Sequence, residues 1–391
     1  MTVRQPLQCS LVQTTTLMRR IALHSLLFDR GKLAAALLGV ALATTLAFVQ
    51  IGLYRGFEVS SSTVIEHHGG DLWAIPTDLE VLDNAETMSV SVRNMLASHP
   101  CVRDVRALVY GFVFIRKPNG TRDNALIVGA EARAERAMPW ALVAGDAREL
   151  DQPLRVSVDR TDFAKLQLGN GAIGATFEVN NQRVTVAAVT QGIRSFTLMP
   201  YMFTSITNAR RLMGLVEGQA HFFAVGLQKP ACADDVKRWM AQQRDVSLVT
   251  RADWMQRTER YWVGGSGAGL VLAFTAILGL IVGAVIVGQT LYSMTKEHLP
   301  ELATLKALGA TPWELAGFVL WQVSLLAVLG GGIGLAIAYI LRGVMARSGL
   351  NVMLEPSTLS LGVFATLMMC TVASIASLRT VFKVEAATVL R

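Results

Sequence analysis

The chain has 391 residues, of which 52% are hydrophobic and 17% are charged, and its formal net charge at pH 7 is +7. This composition excludes a disordered chain and an ordinary soluble enzyme, and it is typical of a membrane protein with room for a sizeable soluble domain. The basic residues are scattered and form no zinc-finger, RNP-like or basic-zipper pattern, so we expect no nucleic-acid partner.

The first apolar stretch, residues 33–54, predicts a membrane span because it is uncharged and about 20 apolar residues cross a bilayer. Residues 17–28 combine apolar side chains at helical spacing with neighbouring arginines, as in a helix that lies in the membrane interface. A cleaved signal peptide is the alternative, but the residues before the apolar stretch are numerous for the charged region of a signal. We therefore expect residues 1–32 to be a cytoplasmic tail with an interfacial helix.

Residues 55–262 form a long insert that predicts a mixed α/β domain. Strand–helix–strand patterns occur near its beginning, over residues 71–115, and near its end, over residues 221–250. The part between them, about 124–211, is richer in strand patterns and has a turn at Asn180 and Asn181. The sequence therefore predicts an α/β core that carries a β-rich insert.

Three more apolar stretches, residues 263–292, 314–341 and 358–378, bring the predicted number of spans to four. Basic residues precede the first span and follow the last, whereas Arg347 is the one basic residue of the loop from 343 to 357. By the positive-inside rule, both termini, including the tail at 379–391, and the segment 293–313 face the cytoplasm. The 55–262 domain and the short loop at 342–357 then face the periplasm.

The expected fold class is therefore a membrane protein with four transmembrane α-helices and a large α+β periplasmic domain inserted between the first and second spans. The interiors of the spans contain no ionisable residue, which argues against a proton- or ion-coupled carrier. Small residues at four-residue spacing allow helices to pack closely, either within one chain or at a homodimer interface. These pairs are Gly279 and Gly283, Ala284 and Gly288, and Gly330 and Gly334.

The segment between the second and third spans predicts a short amphipathic helix. Four leucines recur at every third position: Leu299, Leu302, Leu305 and Leu308. Charged residues lie between or beside them: Lys296, Glu297, Glu301 and Lys306. Pro300 suits the first turn of a helix, Gly309 suits its end, and Thr311 to Glu314 have the pattern that starts the next helix.

A helix of this size, joined to a span at each end, is too small for an enzyme but suited to fill a groove on another protein. An ordinary amphipathic helix at the level of the lipid head groups is the alternative. Aromatic residues near these spans fit the aromatic belts of a membrane interface: Tyr261, Trp262, Tyr292 and Trp313.

The sequence KEHLPELATLKALGATPWEL resembles the cytoplasmic coupling segment of the MacB/FtsX-type ABC transporter permeases, and HLPE-ATLKA-G resembles their DevC branch in particular. The resemblance implies that the chain is the inner-membrane permease subunit of a tripartite ABC exporter and that the permease works as a homodimer. The exported cargo would be an amphiphile such as a glycolipid. It implies three partners: a separate ABC ATPase, a periplasmic membrane-fusion adaptor and a TolC-like outer-membrane channel. ATP-driven motion of the ATPase would be transmitted through the permease to its periplasmic domain.

The family segment places the contact with the ATPase at eight residues: Glu297, Leu299, Pro300, Glu301, Leu302, Leu305, Lys306 and Gly309. Among these, Glu297 and Glu301 are the candidates for polar contacts. Leu302 and Leu305 are the candidates for a groove on the ATPase, and Gly309 is the candidate hinge.

Other functions fit the same layout. An FtsX-like protein would transmit a signal to a periplasmic enzyme and export nothing. A lipoprotein-releasing permease would need a loop that contacts a periplasmic chaperone, and no such loop is recognisable in the sequence. A free-standing receptor without an ATPase is a further alternative.

Two cysteines lie in the predicted periplasmic domain. Cys101 ends the first predicted helix of this domain and Cys232 begins the second, so the two meet if these helices pack antiparallel. An oxidising compartment would then allow a disulfide. Two buried free thiols are the alternative.

Catalytic and metal motifs are not recognisable in the sequence. The Gly31–Lys32 pair lacks the rest of a phosphate-binding loop, so we expect a separate chain to hydrolyse ATP and no cofactor to bind here. The glycines at 264–269 open a span and do not follow a strand, unlike a dinucleotide-binding motif. Residues 66–71 contain Glu66, His67, His68 and Asp71, but without the spacing that places two metal ligands on one helix face.

Overall fold

The structure, a computed structural model, describes residues 30–131, 138–169, 172–243, 245–307, 309–347 and 349–383. The predicted interfacial helix at 17–28 and Leu308 lie outside the described residues. The chain divides into two compact units. One unit comprises residues up to 55, 271–344 and 352 onward, and the other comprises residues 56–270 and 345–351.

The described residues form ten α-helices and ten strands. The helices are α1 (Arg30–His68), α2 (Val90–Ser98), α3 (Phe163–Leu166), α4 (Ile206–Met213), α5 (Ala233–Met240), α6 (Arg251–Arg260), α7 (Ala268–Glu297), α8 (Leu299–Ala307), α9 (Pro312–Arg347) and α10 (Pro356–Phe382). The strands are β1 (Leu72–Pro76), β2 (Val102–Arg116), β3 (Arg122–Ala130), β4 (Leu142–Gly145), β5 (Arg155–Asp159), β6 (Thr176–Val179), β7 (Gln182–Thr190), β8 (Tyr201–Ser205), β9 (Phe222–Leu227) and β10 (Val246–Thr250).

Four of these helices, α1, α7, α9 and α10, are long and apolar enough to cross a membrane. They confirm the predicted fold class, since the α+β domain lies between the first and second of them in the sequence. Helix α1 continues past the predicted end of the span at residue 54 and stops only before Gly69 and Gly70. Both glycines have positive φ, a conformation that ends a helix and that glycine adopts without strain.

The start of the second span differs from the predicted position at residue 263. Helix α6 follows β10, because the Thr250 side chain accepts a hydrogen bond from Asp253 N at 3.0 Å and so caps a new helix. A turn of π-helix, Tyr261–Gly265, follows α6, and Gly267 with φ of 77° separates it from α7. The apolar helix therefore begins at Ala268 and not at residue 263.

The helical unit packs through its glycines. A Cβ on Gly279 would collide with the Leu46 side chain, one on Gly283 with Ala43, and one on Gly330 would lie 2.7 Å from Val40 Cβ. Gly288 and Gly334 also lie directly against other helices of the same chain, and Ala284 packs on the same apolar cluster. Of the two uses left open for these small residues, the structure shows close packing within one chain.

The second unit is built on one sheet that contains all ten described strands, in the order β10-β1-β9-β2-β6-β7-β4 with β3, β5 and β8 attached alongside. The predicted β-rich part is thus continuous with the core, because β3 pairs with β2. The pairing runs from Leu108 opposite Ala130 to Arg116 opposite Arg122. The predicted turn between β6 and β7 is confirmed: Asn180 and Asn181 both have positive φ, as in a type I′ hairpin.

Both faces of the central strands are buried. Successive residues of a strand point to opposite faces, and in β1 Leu72 and Ala74 join one apolar cluster while Trp73 and Ile75 join the other. Leu96 of α2 and Val236 of α5 belong to the first cluster. Val64 and Ile65 of α1 and Trp254 of α6 belong to the second. Helices therefore cover the sheet on each side.

Candidate functional site

The segment between α7 and α9 is the candidate site. A single residue, His298, separates α7 from α8. Hydrogen bonds from His298 N to Met294 O (3.3 Å) and from Leu302 N to His298 O (3.0 Å) continue the helical pattern across the junction. Pro300 is the second residue of α8, where its missing N–H costs no helical hydrogen bond. The two helices are therefore joined without a flexible loop.

The C-terminal end of α8 is fixed by a Schellman motif. Ala310 N donates to Leu305 O at 3.0 Å, and Gly309 N donates to Lys306 O at 3.1 Å. Gly309 has φ of 100°, a value that a residue with a side chain adopts only with strain. Leu305 and Ala310 both pack on the apolar cluster of the helical unit, which is the hydrophobic contact expected of this motif.

The next helix begins with a complete capping box. Thr311 N donates to Glu314 Oε2 at 2.7 Å, and Glu314 N donates to Thr311 Oγ1 at 3.3 Å. The predicted start of the third apolar helix is therefore confirmed at its first turn. Local hydrogen bonds therefore fix both ends of the segment between α7 and α9.

The leucines of α8 face the chain's own helices. Leu302 is 1% exposed and shares a cluster with Leu291 and Met294 of α7 and Leu315 of α9. This corrects the prediction that Leu302 enters a groove on a partner. A spacing of three residues turns the stripe backwards around the helix by about 60° per step, so Leu302 lies deepest of the three described leucines. Leu299 and Leu305, to either side of it, are half-buried.

The opposite face of α8 is open. Pro300, Glu301, Thr304 and Ala307 are exposed and share one side of the helix, being spaced as i, i+1, i+4 and i+7. His298 Nδ1 lies 3.1 Å from a carboxylate oxygen of Glu301, which holds that side chain at the surface. The face is small and carries two polar side chains, Glu301 and Thr304. Helical spacing counted from Pro300 would have identified Thr304 and Ala307 from the sequence.

Two further predicted site residues, Glu297 and Lys306, lie near the ends of α7 and α8. Glu297 is exposed at the last position of α7, and Lys306 is half-buried near the end of α8. Trp313 was assigned from the sequence to an aromatic belt. It is 78% exposed, and its ring makes an edge contact with Phe382 at 5.4 Å between centroids. This exposed indole, one turn beyond Gly309, is a further candidate for partner contact.

The structure brings Cys101 and Cys232 together as a disulfide pair, with their Cα atoms 6.0 Å apart. Cys101 lies between α2 and β2, and Cys232 directly precedes α5. The His99 and Trp239 rings, from the same two regions, are 4.9 Å apart. The bond would close a loop of 131 residues within the α+β unit.

No group of three potential ligands that could hold a metal ion occurs among the described residues. Within the Glu66–Asp71 stretch, the His67 ring stacks on Trp140 at 4.0 Å between centroids. Asp71 accepts a hydrogen bond from Leu227 N at 2.8 Å. These two side chains therefore have structural contacts inside the α+β unit.

A buried carboxylate ties the π-helical turn to the sheet, a feature that no sequence pattern indicated. Asp83 accepts hydrogen bonds from Tyr110 Oη at 2.8 Å and from Trp262 Nε1 at 3.0 Å. Burial raises the pKa of Asp83, and the two hydrogen bonds partly oppose that rise. The Trp262 ring also packs on Phe196, with centroids 4.5 Å apart. The chain is thus held firmly just before α7.

Two family models match the chain. Residues 33–243 match the MacB-like periplasmic core domain, and residues 273–386 match the FtsX-like permease C-terminal region. Together they cover the first apolar helix, most of the α+β unit and the other three apolar helices.

The individual relatives share less than 25% of their residues with this chain. Uncharacterized ABC transporter permeases of Mycobacterium bovis and Mycobacterium tuberculosis are 24% identical over 317 residues, which is 80% of this chain and 83% of theirs. The alignment with the periplasmic region of MacB from Actinobacillus actinomycetemcomitans covers 49% of this chain and 92% of the MacB chain, at 11% identity and a TM-score of 0.38. The alignment with the extracellular domain of the noncanonic ABC-type transporter YknZ from Gram-positive bacteria covers 46% of this chain and 99% of the YknZ chain, at 11% identity and a TM-score of 0.35.

Proposed function

The chain belongs to the MacB/FtsX-type family of ABC transporter permeases, and we propose that it passes ATP-driven motion from a separate ATPase to the α+β domain between its first two apolar helices. In this proposal the ATPase contacts the exposed face of α8 in the cytoplasm. The α+β domain lies on the other side of the inner membrane, in the periplasm, where its movement drives export.

The observation that carries the proposal is the two-sided character of α8. Its buried side, centred on Leu302, is packed on α7 and α9, whereas Glu301 and Thr304 are open on the other side. Close-packed apolar side chains transmit displacement because they leave no space to absorb it. A push on the open side would therefore move α7 and α9 together with α8.

The path from α8 to the α+β domain follows the chain itself. Helix α7 runs without interruption from Glu297 back to Ala268, and the π-helical turn before it is bonded to the sheet through Trp262 and Asp83. π-helical turns are often found at functional positions of helices. Movement of α7 would reach the sheet through this turn.

The wider assembly rests on the sequence resemblance. A homodimer of this chain would work with the ATPase, a periplasmic membrane-fusion adaptor and a TolC-like outer-membrane channel. The cargo would be an amphiphile such as a glycolipid, as in the DevC branch. Capture of an adaptor and a channel with the full chain would favour export over an FtsX-like signalling function, which predicts capture of a periplasmic hydrolase.

The coupling face can be tested with a charge reversal and a matched control. We expect Glu301→Arg to reduce capture of the ATPase, identified by its nucleotide-binding motifs, by at least about tenfold, since a repelled charge at a contact costs 1.4 kcal/mol or more. Glu355→Arg is the control, because Glu355 is also an exposed glutamate but lies before α10. Equal capture by both variants, or a reporter fusion that places Glu301 outside the cytosol, would overturn the proposal.

A further inference from the structure

A cavity of about 620 Å³ lies beside the end of α6 and the π-helical turn. Its helical wall consists of Arg257, Arg260, Tyr261, Gly264 and Gly265. The first four of these are spaced as i, i+3, i+4 and i+7 and so share one helix face. The opposite wall is the loop after β1, with Thr77, Asp78 and Glu80. The volume is within the range of small-molecule sites.

The two walls carry opposite charges that do not neutralise each other. Across the described residues, no ion pair within 4.0 Å joins Asp78 or Glu80 to Arg257 or Arg260. Arg257 donates instead from a terminal guanidinium nitrogen to Leu79 O at 3.2 Å, which holds its charge at the cavity. A ligand with one anionic and one cationic group would satisfy both walls at once.

The cavity also lies close in sequence to the start of the apolar helix. Tyr261, in its wall, begins the π-helical turn, and α7 starts seven positions later at Ala268. Leu270, in the first turn of α7, is 66% exposed. A polar cavity lined by residues a few positions before an apolar helix suits the head group of an amphiphile, because tyrosines near the ends of spans are typical of the membrane interface.

We propose that this cavity binds the zwitterionic head group of an amino-phospholipid or a similar amphiphile. Arg257 and Arg260 bind the phosphate, for which guanidinium groups are the preferred partners. Asp78 and Glu80 bind the amino group. The inference rests on the proposed function and deepens it, since it names the chemical class of amphiphile that the permease holds in this cavity.

The test is direct binding to the purified full chain in detergent, without any ATPase. Short-chain phosphatidylethanolamine carries both charges, short-chain phosphatidylglycerol lacks the amino group, and diacylglycerol lacks both charges. We expect the affinity to fall in that order, with diacylglycerol at least tenfold weaker than phosphatidylethanolamine, because a hydrogen bond to a charged group contributes about one order of magnitude.

Variants assign the binding to the cavity. Arg260→Gln is expected to weaken both phospholipids about tenfold, whereas Glu80→Gln weakens only phosphatidylethanolamine. Arg238→Gln and Asp234→Asn are the matched controls, because both side chains are exposed on α5, outside the cavity. Thermal unfolding of each variant shows whether it is folded. Asp78→Arg and Arg257→Asp, which reverse one charge each, supply second variants.

The outcomes separate the sources of the ligand. Binding of free phosphoethanolamine as tight as that of the lipid would overturn the lipid assignment, since the acyl chains would then contribute nothing. Equal binding of phosphatidylethanolamine by the parent chain, Arg260→Gln and Glu80→Gln would overturn the site. Failure of this test leaves capture of the ATPase through Glu301 unaffected, and failure of that capture leaves the binding result unaffected.

Discussion

Trp262 donates a hydrogen bond from its indole nitrogen to the Asp83 carboxylate at 3.0 Å, across 179 residues of sequence. The other carboxylate oxygen accepts from the Tyr110 hydroxyl at 2.8 Å. One buried acid therefore joins the loop after β1, the central strand β2 and the turn before α7. Removal of this acid should loosen the connection between the sheet and the apolar helix.

We expect Asp83→Ala to lower the free energy of unfolding of the α+β unit by about 3 kcal/mol, because one buried donor, Tyr110, and one half-buried donor, Trp262, lose their acceptor. Asp83→Asn should cost less, since its amide oxygen still accepts one bond. Thermal unfolding of the full chain, followed by tryptophan fluorescence, measures both. Asp78→Asn, at an exposed position in the same loop, is the control, and an equal effect of Asp83→Ala and Asp78→Asn would contradict the assignment.

Asp162 should make stability depend on pH. Burial, together with the charge of Asp159, raises the pKa of Asp162 from 3.8 to about 6. The folded protein then binds this proton more tightly than the unfolded chain, so stability falls as the pH rises from about 4 to about 6, and the loss is complete above that range. Replacement of Asp162 by asparagine removes the charge responsible for this loss.

We therefore expect Asp162→Asn to stabilise the protein by about 1–2 kcal/mol at pH values above 6 and to have little effect near pH 4. The Asp162 side chain makes no capping hydrogen bond to α3, so the amide should not weaken that helix. Unfolding midpoints at the two pH values measure the difference. Asp151→Asn, at an exposed position, is the control, and a gain of equal size at both pH values would rule out the charge as its cause.

Leu302 is expected to act as an anchor within the helical unit. Leu302→Ala should lower stability by about 3 kcal/mol, the usual cost of a cavity where a buried leucine is truncated. Thr304→Ala, on the exposed face of the same helix, should change it little. Thermal unfolding of the full chain in detergent compares the two. If Leu302→Ala left stability intact but abolished capture of the ATPase, the original assignment of Leu302 to a partner groove would be restored.

The Cys101–Cys232 pair predicts two free thiols in the oxidised protein, since the chain has four cysteines. Alkylation of the denatured chain should label two thiols before reduction and four after it. Cys101→Ser should abolish the mobility shift in a non-reducing gel and lower stability by about 3 kcal/mol, because an open loop gains freedom in the unfolded chain. Cys370→Ser, in α10, is the control. Labelling of four thiols without reduction would show that the cysteines are free.

Features encoded by neighbouring residues could be predicted from the sequence. The apolar stretches of α1, α7, α9 and α10, the glycine that ends α8, the capping box of Thr311 and Glu314, and the Asn180–Asn181 turn all depend on residues a few positions apart. Their hydrogen bonds and hydrophobic patterns are local, so the amino-acid sequence around each of them determines them. The same local reasoning located the linking segment between the second and third spans.

Only the tertiary structure decided which face each element buries. A leucine stripe is equally apolar whether it meets a partner or the chain's own helices, and Leu302 is buried because α7 and α9 supply its neighbours. Small residues at four-residue spacing allow close packing with any helix, and here Gly283 and Gly330 pack within the chain. The bond between Asp83 and Trp262 joins residues far apart in sequence, and no pattern along the chain specifies such a contact, because it depends on how the whole sheet brings them together.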